Sequence, residues 1–329
     1  MTISTPLQAR ISAIGSYVPS RILSNADLQT MVDTNDEWIV QRTGIRERRL
    51  AADDEFTSHL CIAAVQNMLT RYPASLDQVE LIIVATHTPD LPSTPVACQI
   101  QAHFGLPETG AYDLNATCAG FAYALHTASA LVAAGVHRKI LIVGGDALSK
   151  ITDYTDRSTC ILFGDGAGAV VVEREADQPA FLAHHLGSDG SGGKHVYRTG
   201  LSTQWLGTPL TGDGKLVQNG REVYKFAVTT VPQGIQKLLE KSGLPQTAID
   251  WFIPHSANLR IIESICEKSG IALEKALYSL EYYGNTSAAS IPLALDLGIT
   301  EGKVKAGDTL LLYGFGGGLT HAGLIVRWG

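Results

Sequence analysis

The chain has 329 residues, 45% of them hydrophobic and 17% charged, with a net charge of −7. That acidic balance excludes a nucleic-acid surface built on bulk positive charge, and no apolar run approaches the ~18 residues of a membrane-spanning helix. Five cysteines without regular spacing exclude a disulfide framework, and no apolar signal region precedes Ala9, so a soluble cytoplasmic protein without membrane or nucleic-acid partners is expected.

Taken in chain order, a strand is expected near Ile11–Ile14, a helix after Phe56, a strand at Leu81–Ala85, a helix opening at Cys118 and a strand at Ile140–Val143. FGDGAGAVVVER, residues 163–174, reads as a Gly-rich turn and a closing strand. This alternation predicts α/β units on a largely parallel sheet. The Gly-rich stretch Gly187–Gly193 reads as a mobile loop or a boundary between halves. Beyond it, strand-like WFIP (residues 251–254), helical SAASIPLAL (287–295), and the strands LLLYGF (310–315) and HAGLIVRW (321–328) repeat the first series.

The repetition keeps one register. Val79 of VELIIVAT and Ile249 of IDWFIPHS, Asn115 of DLNATCAGFAYAL and Asn285 of YGNTSAASIPLAL, and Ile140 of ILIVGG and Leu310 of LLLYGF are each 170 residues apart. A constant offset across three segments predicts two similar βαβαβαββ halves, residues 1–175 and 176–329, in five layers (αβαβα). Ligands of open α/β sheets bind beyond the carboxyl ends of the strands.

Three residues stand at such ends. Cys118, in DLNATCAGF, opens a helix, where unpaired N–H groups and the helix dipole favour thiolate. His255 follows the strand of WFIPHSANLR, and Asn285 starts the equivalent second-half helix. Singly, each has a plainer role: a buried thiol, a satisfied histidine, a helix cap. Cys61, Cys98, Cys160 and Cys266 are assigned that plain role. Together the three suit covalent catalysis, Cys118 as nucleophile. The glycine runs at 164–169 and 316–318 lead into strands rather than helices, against a dinucleotide loop. His184 and His185 lack ligand-spaced partners, so no metal is expected.

Six motifs in order, DTNDEWIVQRTGIRERR, NATCAGF, FGDGAGA, PHSANLR, YGNTSAAS and YGFGGGLT, resemble β-ketoacyl-acyl-carrier-protein synthase III of the thiolase superfamily, from about Ile11 to Trp328. The resemblance implies a homodimeric condensing enzyme that needs no cofactor and initiates type II fatty acid synthesis from a short-chain acyl-CoA and malonyl acyl carrier protein. Cys118 would accept the acyl group, and His255 and Asn285 would act on the malonyl thioester. The Cys118 N–H and a glycine of the 316–318 run, taken as Gly318, would form the oxyanion hole. Trp38 and Arg157 would flank the adenine, Arg42 the CoA pyrophosphate, and Asn258 the pantetheine. Lys225, Arg260 and Lys268 would receive the acidic carrier protein. Trp38, Arg42, Arg46, Arg48 and Arg49 crowd one segment, with Arg42 and Arg46 spaced to share a helical face and form a local basic patch. One departure concerns the primer: Ser93 stands where many members place an aromatic that limits the partner's acyl pocket, which leaves room for branched or longer chains unless Leu91 fills it. Other readings are a polyketide starter synthase or head-to-head acyl-CoA condensing enzyme on the same residues and, more remotely, a cysteine-dependent thioester hydrolase or a non-catalytic binding module.

Overall fold

The computed structural model describes residues 8–175 and 179–329. The expected boundary after residue 175 meets residues 176–178, and the segment expected to lack a signal covers residues 1–7; both lie outside the described residues. Two sheets carry the fold. The first has the order Gln8–Tyr17, Gly166–Glu175, Lys139–Asp146, Leu81–Ala85, Gly110–Leu114, its last three strands mutually parallel. The second runs Phe181–Ser188, Thr320–Arg327, Thr309–Gly316, Trp251–Pro254, the same order. Its fifth position is reduced to a parallel bridge between Phe252 and Ala276.

The 170-residue register holds at element starts: Leu81 and Trp251, Thr117 and Ser287, Gly120 and Ser290, and Lys139 and Thr309 each begin equivalent elements. Helices Gly120–Ala133 and Ser290–Thr300 lie between the sheets, the former touching strands of both. Both are apolar on nearly every face, as a central layer requires. Helix Thr57–Arg71 covers the outer face of the first sheet, and helices Gly220–Ser242 and Leu259–Ser269 cover that of the second. Phe121 fills the central layer with 1% exposure, so its truncation to alanine costs about 3–5 kcal/mol.

Two expectations need correction. Gly187–Gly193 is no loose loop: Gly187 and Ser188 end a strand paired with Thr320–Arg327, and Gly190–His195 forms a 3-10 helix whose Gly192 and Gly193 pack against Leu319 and Trp205. The arginine cluster likewise disperses. Helix Asp36–Thr43 ends at Gly44, in the left-handed region (φ +76°), so Arg42 and Arg46 share no helical face. Arg46 instead pairs with Glu281, and Arg49 with Glu47. Arg48 is fully buried, donating to Asn25 and the Ile161 carbonyl.

Candidate active site

The turn that carries Cys118 is strained and braced. Beyond strand Gly110–Leu114, the Asn115 Oδ1 accepts the Thr117 N–H (3.2 Å), Thr117 adopts φ +46°, and a 3-10 turn at Thr117–Ala119 feeds helix Gly120–Ala133. The second half repeats the device. Asn285 Oδ1 accepts the Ser287 N–H (2.9 Å), Ser287 adopts φ +51°, and Ser287–Ala289 feeds helix Ser290–Thr300. Such backbone strain costs of order 1–3 kcal/mol per residue. The two turns pack against each other. Strand Thr309–Gly316 presses on the first turn so closely that a Cβ on Gly316 would lie 2.6 Å from Thr117 Oγ1 and 2.9 Å from the Cys118 N and Cβ.

Asn285 therefore does serve the turn, but with one end of its amide only. With Oδ1 committed to Ser287, its NH2 group is left as a donor. Its backbone is clamped too, N–H to the Leu162 carbonyl (2.8 Å) and carbonyl to the Gly164 N–H (3.0 Å). His255 follows strand Trp251–Pro254 and is 1% exposed, its N–H on the Tyr313 carbonyl and its ring edge-on to Phe315. Its Nδ1 lies 2.7 Å from Ser290 Oγ, which accepts the Ser256 N–H. The Ser290 hydroxyl proton is then free for Nδ1, which puts the ring proton on Nε2. Burial lowers the His255 pKa to about 3, the Asp146 charge opposing, so the imidazole is neutral at pH 7.

Cys118, His255 and Asn285 line one cavity of about 520 Å³, with Phe315, Gly316 and Gly317 on its wall and Trp38, Arg42, Asn258 and Arg260 also on its lining. A second cavity of about 240 Å³ lies on another side of Cys118, walled by Leu148, Phe163 and Leu216 and by the polar His87 and Ser287. Cys118 thus joins two chambers. The expected resting thiolate is not supported: burial raises the Cys118 pKa to about 12, Asp146 adding to the rise and a Ser287 hydrogen bond opposing it. Desolvation outweighs the helix terminus, so the thiol is protonated at pH 7.

The remaining expected residues divide. Arg157 Cζ lies 4.5 Å from the Trp38 ring centroid and Arg42 Cζ 5.7 Å, so two guanidiniums attend one indole. Asn258 caps helix Leu259–Ser269, Oδ1 accepting the Arg260 N–H and Nδ2 donating to the Arg42 carbonyl. Gly318 is absent from the cavity lining, where Gly316 and Gly317 stand. Lys225 pairs with Glu222 and Lys268 donates to the Val228 carbonyl, both off the cavity lining. Ser93 sits in an exposed loop outside both cavities. Cys61, Cys160 and Cys266 are buried as expected, and Cys98 half-buried. Among the described residues, no group of three or more His, Cys, Asp or Glu is placed to hold a metal, and no helix is long and apolar enough to cross a membrane.

Asp146, His87, Ser287 and Ser290 escaped the sequence reading. Asp146 had a signal: it is an acidic residue closing the apolar run ILIVGGD, and it is fully buried.

Family models agree with the geometry. Residues 112–190 match the model described as 3-oxoacyl-[acyl-carrier-protein] synthase III, and residues 239–328 match that of its C-terminal part. The chain is 62% identical over 321 residues to β-ketoacyl-[acyl-carrier-protein] synthase III 2 of Halalkalibacterium halodurans, covering 98% of this chain and 97% of that one. It superposes on the synthase III structure from Thermus thermophilus with a TM-score of 0.94 at 47% identity, covering 97% and 99% of the two chains. The priming β-ketosynthase of the R1128 polyketide pathway superposes with a TM-score of 0.92 at 35% identity, covering 100% and 98%. With a thiolase-like fold, a register shared by both halves and these relatives along nearly its whole length, the chain belongs to the β-ketoacyl-[acyl-carrier-protein] synthase III family.

Proposed function

We propose that this chain performs the initiating condensation of fatty acid synthesis, joining a short-chain acyl-CoA to malonyl acyl carrier protein through an acyl-cysteine at Cys118. The observation that carries this reading is the convergence of Cys118, His255 and Asn285 on one cavity whose lining also holds Trp38 and Arg42. In the first half-reaction the Cys118 sulfur bonds the acyl carbon, the thioester bond to CoA breaks, and the thiol proton ends on the CoA sulfur. Backbone N–H groups of Cys118 and of the Gly316–Gly317 wall take the oxyanion role assigned earlier to Gly318. In the second half-reaction malonyl carrier protein loses carbon dioxide, and the bond's electrons become an enolate on the thioester oxygen. The Asn285 NH2 and His255 Nε2–H are the donors to that oxygen, and both are neutral at pH 7, so decarboxylation needs no prior deprotonation. The enolate carbon then attacks the acyl-cysteine, releasing Cys118 and β-ketoacyl carrier protein, in the two-step logic of covalent catalysis.

Trp38, with Arg42 and Arg157 beside it, is assigned the CoA nucleotide, Arg42 its pyrophosphate and Asn258 the pantetheine approach. Arg260, with Lys225 and Lys268 beyond the mouth, is assigned the carrier protein. The exposed edge strand Gly110–Leu114 and the exposed Ser93 loop suit a homodimer in which Ser93 reaches the partner's acyl pocket. A cytoplasmic, cofactor-independent enzyme with halves divided near residue 175 completes the proposal. A polyketide starter role rests on the same residues, and the higher identity to a synthase III favours fatty acid initiation. The test is a condensation assay with purified chain, an acyl-CoA panel and malonyl carrier protein, read as β-ketoacyl carrier protein by mass. Product that vanishes in Cys118→Ala supports the proposal; hydrolysis of acyl-CoA without condensation would replace it with the hydrolase.

A further inference from the structure

The raised Cys118 pKa sets a problem: something must stabilise the thiolate at the moment of attack. Asp146 by itself would oppose it, being a fully buried carboxylate whose charge raises the thiol pKa. That carboxylate is held by many donors. Thr86 Oγ1, the His87 and Thr88 N–H groups and Thr88 Oγ1 all donate to Oδ1, and the Ala288 N–H donates to Oδ2. His87 Nδ1 lies 3.3 Å from Asp146 Oδ2 and 3.3 Å from Ser287 Oγ. A ring nitrogen facing a carboxylate oxygen carries the proton, so His87 Nδ1–H donates both ways. Ser287, held at φ +51° in the turn packed against that of Cys118, lines the smaller cavity beside Cys118 and His87.

We propose that Ser287 donates the hydrogen bond that stabilises the Cys118 thiolate, and that His87 is its positioning residue. Two acceptors compete for one hydroxyl proton, the Asp146 carboxylate and the Cys118 sulfur. By supplying Nδ1–H to both Asp146 and Ser287 Oγ, His87 satisfies the carboxylate and turns the serine proton towards the sulfur. The direction of the Ser287 effect on the thiol agrees, being downward. The chain of contacts Asp146, His87, Ser287, Cys118 crosses from the first half to the second and back. It is separate from His255 and Asn285, which face the malonyl group. The inference rests on Cys118 being the nucleophile of the proposed reaction.

The test is iodoacetamide alkylation of Cys118 as a function of pH, located by peptide mass mapping, in wild type, Ser287→Gly, His87→Ala and His87→Asn. Glycine removes the hydroxyl while tolerating φ +51°. Asparagine places an NH2 near the lost Nδ1–H. The other titratable groups on the two walls, His255, Arg42, Tyr224, Arg260 and Glu263 on the larger and Tyr197 and Arg198 on the smaller, stay unchanged. Ser287→Gly and His87→Ala should alkylate about tenfold slower below the thiol pKa, a shift of about one unit, and His87→Asn should recover most of the loss. Profiles that superimpose on wild type, or an Asn variant as slow as Ala, would overturn the proposal. Acylation by acyl-CoA is read separately: acylation with unshifted alkylation profiles removes the serine clamp alone, and shifted profiles with no acylation remove the synthase reading alone.

Discussion

Replacing Asn285 with alanine should separate the two half-reactions. The substitution removes the NH2 donor aimed at the enolate oxygen, and loss of one such preorganised donor costs about 10²–10³ in rate, or about 2.7–4 kcal/mol. It also removes the Oδ1 that accepts the buried Ser287 N–H at 2.9 Å, so the fold should lose a further ~1–3 kcal/mol of stability. Asn285→Asp is the control, since it keeps an oxygen for Ser287 and removes only the donor. Acylation of Cys118 is read by intact mass after mixing with acyl-CoA, and decarboxylation by carbon dioxide release from malonyl carrier protein. Both variants should acylate within a few-fold of wild type and release carbon dioxide at least ~10² more slowly. Equal loss in both half-reactions, in the Asp variant as well, would refute the assignment of Asn285 to the malonyl step.

Gly316→Ala places a Cβ 2.6 Å from Thr117 Oγ1 and 2.9 Å from Cys118 Cβ, so the nucleophile turn must move; acylation should fall about 10²-fold, and an unchanged single-turnover rate would show the wall to be compliant. His255, with a pKa of about 3, and His184 and His321, at about 4, are held neutral by burial. Because the unfolded chain binds more protons there, stability should rise with pH from about 4 to the ordinary histidine value of 6.5 and be lost as pH falls through that window, readable by urea unfolding at stepped pH; a flat profile would contradict it. Ser93→Phe should narrow the range of primers that acylate Cys118 in competition assays, and an unchanged profile would remove Ser93 from the acyl pocket.

The architecture was legible because duplication leaves a register. Leu81 and Trp251 share almost no side-chain chemistry, yet strand and helix starts stayed in step across 170 residues. The triad was legible because each member follows a strand-to-helix transition that a sequence shows. What stayed hidden depends on tertiary packing. Nothing local distinguishes Arg48, buried on Asn25 and the Ile161 carbonyl, from Arg46 on exposed Glu281. The helix-terminus argument for a Cys118 thiolate missed the second-half turn and strand that close over it. Asp146, His87 and Ser287 come from three distant segments and become neighbours only when both halves pack. The oxyanion glycine slipped by one or two positions because a run of three glycines offers no side chain to set the register.

The most direct test of the central claim is intact mass spectrometry of the protein after incubation with straight and branched acyl-CoAs, then with malonyl carrier protein. The account predicts one acyl adduct, mapping to Cys118, that is consumed as β-ketoacyl carrier protein forms. An adduct on another residue, or one lost to water with no β-keto product, would contradict it.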